Sequence, residues 1–218
     1  MVFYHPQPRP TNHRSLRFPA PVSRPPGTPK RRPHVSAGGY GTPVNELTDD
    51  DRRFPPALAD LARVGIDYAD GDGIDFEPYS TFCSAEETTD WLRQWTGNPE
   101  LDGDAYRLFG QDGTGGLAAI WYGRPGRPLA EQPVVFMGSE GECGVVAGNL
   151  SDFLWVPADG IGPLESVLYE EHKSRPNAEL TQLAGRHATT PRRPARDIIT
   201  EARTEFPTFA DDIDELCR

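Results

Sequence analysis

The stretch from Tyr106 to Trp155, YRLFGQDGTGGLAAIWYGRPGRPLAEQPVVFMGSEGECGVVAGNLSDFLW, limits the possible folds of this chain more than any other. It holds short runs rich in aromatic and β-branched residues, at Tyr106 to Phe109, Leu117 to Tyr122, Pro133 to Met137 and Val145 to Ala147. Each run is closed by a glycine-bearing turn, which is the pattern of an antiparallel meander. Asp112-Gly113 suits a turn that needs positive φ, and Gly115-Gly116 permits close backbone approach. Gly123-Arg124-Pro125-Gly126-Arg127-Pro128 is too rich in proline and glycine for strand or helix and predicts an exposed loop. Asn149 or Ser151 can cap a short helix holding Phe153 and Leu154, with Pro157 helping to end it.

In order, an FG-x-DGTGG turn, a PVVF strand, a Gly-Glu turn, a VVA strand and an LSDFL helix resemble the core of the SUKH superfamily, which includes the fungal cell-wall assembly regulators. The resemblance runs from about Tyr106 to Asp159, with weaker support from Phe54 onward, and the leader matches nothing in the family. It implies an α+β protein. It also implies a function, since many bacterial members are immunity proteins that bind and neutralise a secreted toxin.

Composition divides the chain. Residues 1–40 contain seven Arg or Lys, nine prolines and no Asp or Glu, whereas the remaining 178 residues hold fifteen basic and thirty-three acidic side chains, a formal charge of −18. The first part cannot build a packed core. Residues 1–43 are therefore read as a disordered Pro/Arg-rich extension and 44–218 as the folded SUKH-like domain with C-terminal helices. Three readings of the extension stay open: a basic arm for nucleic acid or a membrane surface, a plain disordered tail, or a start site placed too far upstream, with Val44 as the candidate initiator. Twenty arginines against two lysines suit a GC-rich genome, in which such upstream frames stay open.

Within the folded part, Thr48 followed by Asp49 to Asp51 favours a helix start, Pro55 and Pro56 fit a first turn, and Leu58, Leu61 and Ala62 form an apolar stripe ending at Gly65. A turn over Asp70 to Asp75 leads into a strand from Ile74 to Tyr79. Ser84 and Glu87 make a capping box for a helix with Trp91, Leu92 and Trp95 on one side, stopping at Gly97. The two tryptophans are read as packing on the meander. Helices are expected over Asn177 to Ala188 and Asp197 to Glu205, joined by a basic proline-rich linker. A last acidic helix, capped by Thr208, repeats Phe209, Ile213 and Leu216 at i, i+4, i+7. The fold class is α+β, an antiparallel sheet with helices covering its face.

Signals for chemistry are few. Cys83, Cys143 and Cys217 are odd in number, far apart and without C-x-x-C spacing, so they read as incidental thiols. An EF-hand loop counted from Asp70 would place Ile74 and Asp75 at its fifth and sixth positions and Thr81 at its twelfth, none of which fits. His172 and His187 lack a ligand partner at metal spacing. Gly138-Ser139-Glu140-Gly141 lacks the first glycine of a nucleophile elbow, and no Walker A sequence occurs. No enzyme, metal or cofactor is expected. No run of about 18 apolar residues is present and the basic N-terminus has no apolar core, so a cytoplasmic protein without membrane contact is expected.

Acidic domains repel nucleic acid and attract basic surfaces. The partner expected is a protein toxin, such as a nuclease with a basic groove. The alternatives are a regulatory or scaffold protein of the same fold and a nucleic-acid-associated protein acting through the basic tail. Asp102, Asp104 and Asp112 flank the first meander strand, and Glu131, Glu140 and Glu142 flank the third. These six carboxylates are expected on one rim, facing the partner together.

Overall fold

The computed structural model describes residues 52–69, 73–168 and 175–218. Every described residue lies in the unit Pro43–Arg218. The expectations for residues 1–43, for the Thr48 cap, for Asp70 to Asp72 and for His172 fall outside the described residues.

Five strands pair antiparallel in sequence order: β1 (Glu77–Pro78), β2 (Tyr106–Gln111), β3 (Leu117–Trp121), β4 (Val134–Met137) and β5 (Cys143–Ala147). Seven helices accompany them among the described residues: α1 (Pro56–Leu61), α2 (Ala85–Thr96), α3 (Leu150–Ala158), α4 (Pro163–Leu168), α5 (Ala178–His187), α6 (Ala195–Glu205) and α7 (Phe209–Leu216). The chain is an α+β protein built on an antiparallel meander. The expected strand from Ile74 to Tyr79 is only two residues long, because pairing with β2 is confined to Glu77 and Pro78.

Alternation along the strands decides the layering. Side chains of a strand point to opposite faces in turn, and here both sets are apolar and buried. Phe109, Ala118, Ile120, Val134 and Phe136 face one way, packed with α1, α3, α5 and the start of α6. Leu108, Leu117, Ala119, Val135, Met137 and Val145 face the other way, packed with α2, α7 and Ala202. The expectation of helices on a single face is corrected by this arrangement: α3, with Phe153, covers one face, while α2, with Trp91 and Trp95, covers the opposite one.

A bulge between Leu108 and Gly110 interrupts the pairing of β2 with β3. Gly110 is required there, since a Cβ on it would lie 2.5 Å from the Phe76 ring. The close approach lets Phe76 reach Phe109 and Phe153 across the strand.

Local signals account for most helix ends. Ser84 accepts the Glu87 amide while the Glu87 carboxylate accepts from the backbone N–H and hydroxyl of Ser84, a reciprocal box. Those bonds from Ser84 hold the Glu87 carboxyl below its ordinary value. Ser84→Ala is expected to cost about 1 kcal/mol at neutral pH. A depressed carboxyl stabilises above its unfolded value and loses that contribution as pH falls through its folded value. The difference between wild type and Ser84→Ala should therefore shrink in urea titrations repeated in acid.

Two caps differ from expectation. Pro157 lies inside α3, which runs one residue past it, with the Asp159 amide bonding back to Trp155 and Val156. Thr208 makes no cap bond to the α7 backbone; its hydroxyl donates to the Asp212 carboxylate instead.

The loop after β3 is fastened rather than loose. Gln132, fully buried, accepts the Arg124 amide on its side-chain oxygen and donates to the Arg124 and Arg127 carbonyls. The Arg124 guanidinium donates to the carbonyls of Glu131 and Gly148, binds Glu205 through two nitrogens, and lies over the Phe206 ring. One arginine thus ties this loop to the β5–α3 turn and to the end of α6.

Candidate functional site

The six carboxylates read from the sequence do not share one rim. In a meander, successive turns alternate between the two ends of the sheet, about 16 Å apart for strands of five residues. Asp102, Asp104 and Glu131 precede β2 and β4 at one end, while Asp112, Glu140 and Glu142 follow those strands at the other.

Their environments differ as well. Asp112 is only 3% exposed, and one of its oxygens accepts from the Thr114 and Gly116 amides and the Thr114 hydroxyl. It shapes the turn and is not on the surface. Glu142 is half-buried, and its carboxylate accepts the Glu140 amide. Asp104 pairs with Arg52 and Glu131 with Arg127. Asp102 and Glu140 remain, both exposed and both without an ion pair among the described residues.

These two border the same helix. The loop holding Asp102 is bound to α2 by the Gly103 amide on the Thr89 hydroxyl and by Arg93 on the Leu101 carbonyl. The turn holding Glu140 is bound to α2 by the Trp95 indole, whose Nε1 donates to the Gly138 carbonyl at 2.7 Å. Ser139 and Thr114 join their hydroxyls at 3.0 Å and hold the β2–β3 and β4–β5 turns together.

Helices α2 and α7 cover the same face of the sheet and meet at their C-terminal ends. Asn98 donates to the Leu216 carbonyl, and the Arg218 amide donates to the Thr96 carbonyl. Their outer surfaces carry Glu86, Glu87, Asp90, Asp211, Asp212, Asp214 and Glu215, all exposed. Among the described residues, no ion pair includes any of these carboxylates. In the opposite helical layer, by contrast, Asp152, Asp159, Glu201 and Glu205 are each met by an arginine. Glu179 and Asp197 are exceptions there, each in the first turn of its helix, where negative charge is favoured.

Helix energetics explains Glu86, Glu87, Asp211 and Asp212 in the same way. It does not explain Asp214 and Glu215, which occupy the last turn of α7, where the helix dipole disfavours negative charge. That mismatch is a signal the sequence already contained. The outer face of an acidic helix otherwise reads as ordinary solvated surface.

Other features supply local structure. His187 meets Asp60 at 2.7 Å and ties α5 to α1, and this bond is the main reason the Asp60 carboxyl is held below its ordinary value. Burial pushes the Cys83 and Cys143 thiols up to about 11, while Cys217 is exposed. Among the described residues no three His, Cys, Asp or Glu side chains converge as metal ligands, and no helix is long and apolar enough to cross a membrane. A groove of about 470 Å³ opens beside β1, lined by Ala62, Glu77, Tyr79, Phe82 and Glu87 among others. Pro78 sits in that edge strand without an N–H to give, which blunts it against strand addition.

Compared with known proteins, the chain matches no family model, no curated sequence and no solved structure.

Proposed function

We propose that this protein is a non-catalytic acidic binding module of SUKH type, an immunity protein that neutralises a bacterial toxin in the cytoplasm by direct protein–protein binding. The observation that carries this reading is the face of α2 and α7, with seven exposed carboxylates and, among the described residues, no arginine or lysine paired to them. Unpaired charge of one sign raises the encounter rate with an oppositely charged surface and rejects partners of like charge. A basic groove such as that of a nuclease fits the face, with carboxylates standing in the places of phosphates. The ordered string of turns and strands from Phe109 to Leu154 supports the family part of the reading.

The test takes as the toxin the product of a large secreted-toxin gene adjacent to this one, the neighbour that the proposal requires. Mixed at equal concentrations, the two proteins should elute as one complex in size-exclusion chromatography and the toxin should lose its activity. A toxin that stays fully active with this protein in excess, and elutes separately, overturns the proposal.

A further inference from the structure

The unpaired carboxylates account for attraction but not for a point of anchorage, and α2 supplies one. Its inward stripe is Thr88, Leu92 and Thr96. One position back on the helix, Glu87, Trp91 and Trp95 follow one another at four-residue spacing and so lie in a row beside that stripe. Trp91 and Trp95 stack with ring centroids 5.3 Å apart and planes within 13° of parallel. Both are half-buried, packed at the border of the core on the α2 side of the sheet.

The row is bracketed by negative charge. Glu87 stands one turn before Trp91, and the turn that receives the Trp95 N–H carries Glu140. Because Gly138 already accepts that N–H, Trp95 offers a partner only its π surface. The nearest cation on the helix, Arg93, is directed to the Leu101 carbonyl. Elsewhere among the described residues a guanidinium lies over an aromatic ring twice, Arg107 over Tyr122 and Arg124 over Phe206. Neither of those involves the tryptophan pair.

We propose that the Trp91 and Trp95 pair anchors an arginine side chain of the basic partner, with Glu87 and Glu140 flanking it, and that the face therefore prefers arginine-rich to lysine-rich surfaces. A guanidinium is planar and weakly hydrated, so it can lie flat on an indole and still donate to a carboxylate at its edge; an ammonium is strongly hydrated and gains less from the ring. The inference rests on the acidic face being the docking surface. It adds which side chain that surface selects.

The experiment uses the full chain and two fluorescein-labelled probes of equal charge, an eight-residue arginine peptide and an eight-residue lysine peptide, followed by fluorescence anisotropy at low ionic strength. The arginine peptide should bind about five-fold or more tightly than the lysine peptide. Trp91→Leu should abolish that preference by weakening the arginine peptide far more than the lysine peptide, and Trp91→Phe, which keeps an aromatic ring in place, should retain part of it. Equal affinity for the two peptides, or a preference that survives Trp91→Leu, overturns the anchor while leaving the acidic face intact. Failure of both peptides to bind overturns the face itself, and with it the preceding reading.

Discussion

Phe153→Ala should lower the unfolding free energy by about 3–5 kcal/mol. Phe153 is fully buried on α3 and meets the Phe109 ring at 5.3 Å and the Phe76 ring at 6.4 Å, both edge-on. Phe76 and Phe109 also meet each other edge-on, so the three rings form a closed set joining the segment before β1, the bulge of β2 and the helix after β5. Removing one ring leaves a cavity bounded by the sheet, which cannot collapse to fill it. Edge-on pairs contribute beyond the area they bury, by about 0.5–1.5 kcal/mol each. Domains of this size have only about 5–15 kcal/mol to lose. Urea unfolding followed by circular dichroism measures the change, and Phe153→Leu should cost clearly less. A loss below about 1 kcal/mol for the alanine variant would contradict the central place given to this ring.

Arg124→Ala is the second large effect, at about 2–3 kcal/mol, between the values for exposed and fully buried pairs because a quarter of the arginine side chain is exposed. The truncation removes the partner of the Glu205 carboxylate and of the Glu131 and Gly148 carbonyls. It also uncovers the Phe206 ring, over which the guanidinium lies at 5.1 Å. Arg124→Lys should recover less than half of the loss, since an ammonium cannot serve a carboxylate through two nitrogens and two carbonyls at once. Hydrogen exchange over residues 123–132 should accelerate in both variants. Full recovery by lysine would show that charge alone, not the fork, holds the loop.

The meander was legible in the sequence because its signals are local: β-rich runs of three to six residues, each closed by its own glycine turn. So were the α2 capping box and the inward stripe of α7, whose Phe209 and Ile213 are buried as the spacing predicts. The side of the sheet on which each helix packs was not legible, since an amphipathic stripe says that a helix packs but not against what. The fastening of the Gly123 to Pro128 loop was hidden for a similar reason, because Glu205 lies 81 residues from Arg124. Sequence reasoning misplaced the carboxylates through an avoidable step: alternate turns of a meander lie at opposite ends, so residues flanking β2 and β4 on both sides cannot share one rim. Asp112 was misread because an Asp before Gly-x-Gly-Gly serves its own turn, accepting the amides two and four residues on. The acidic face of α2 and α7 joins elements more than a hundred residues apart in the chain, and nothing in either helix alone shows that they meet.

The central claim is that this face docks a basic partner, and the rate of docking tests it most directly. Asp90→Lys, Asp214→Lys and Glu140→Lys alter exposed carboxylates that make no ion pair among the described residues, so the triple variant should keep nearly the thermal stability of the wild type. Stopped-flow association with the basic partner proposed above, at low and at physiological ionic strength, should show a rate constant lowered about ten-fold or more at low salt and a flattened dependence on salt. A control reversal at Glu179, in the opposite helical layer, should change the rate far less. An unchanged rate constant and unchanged salt dependence in the triple variant would contradict the assignment of this face.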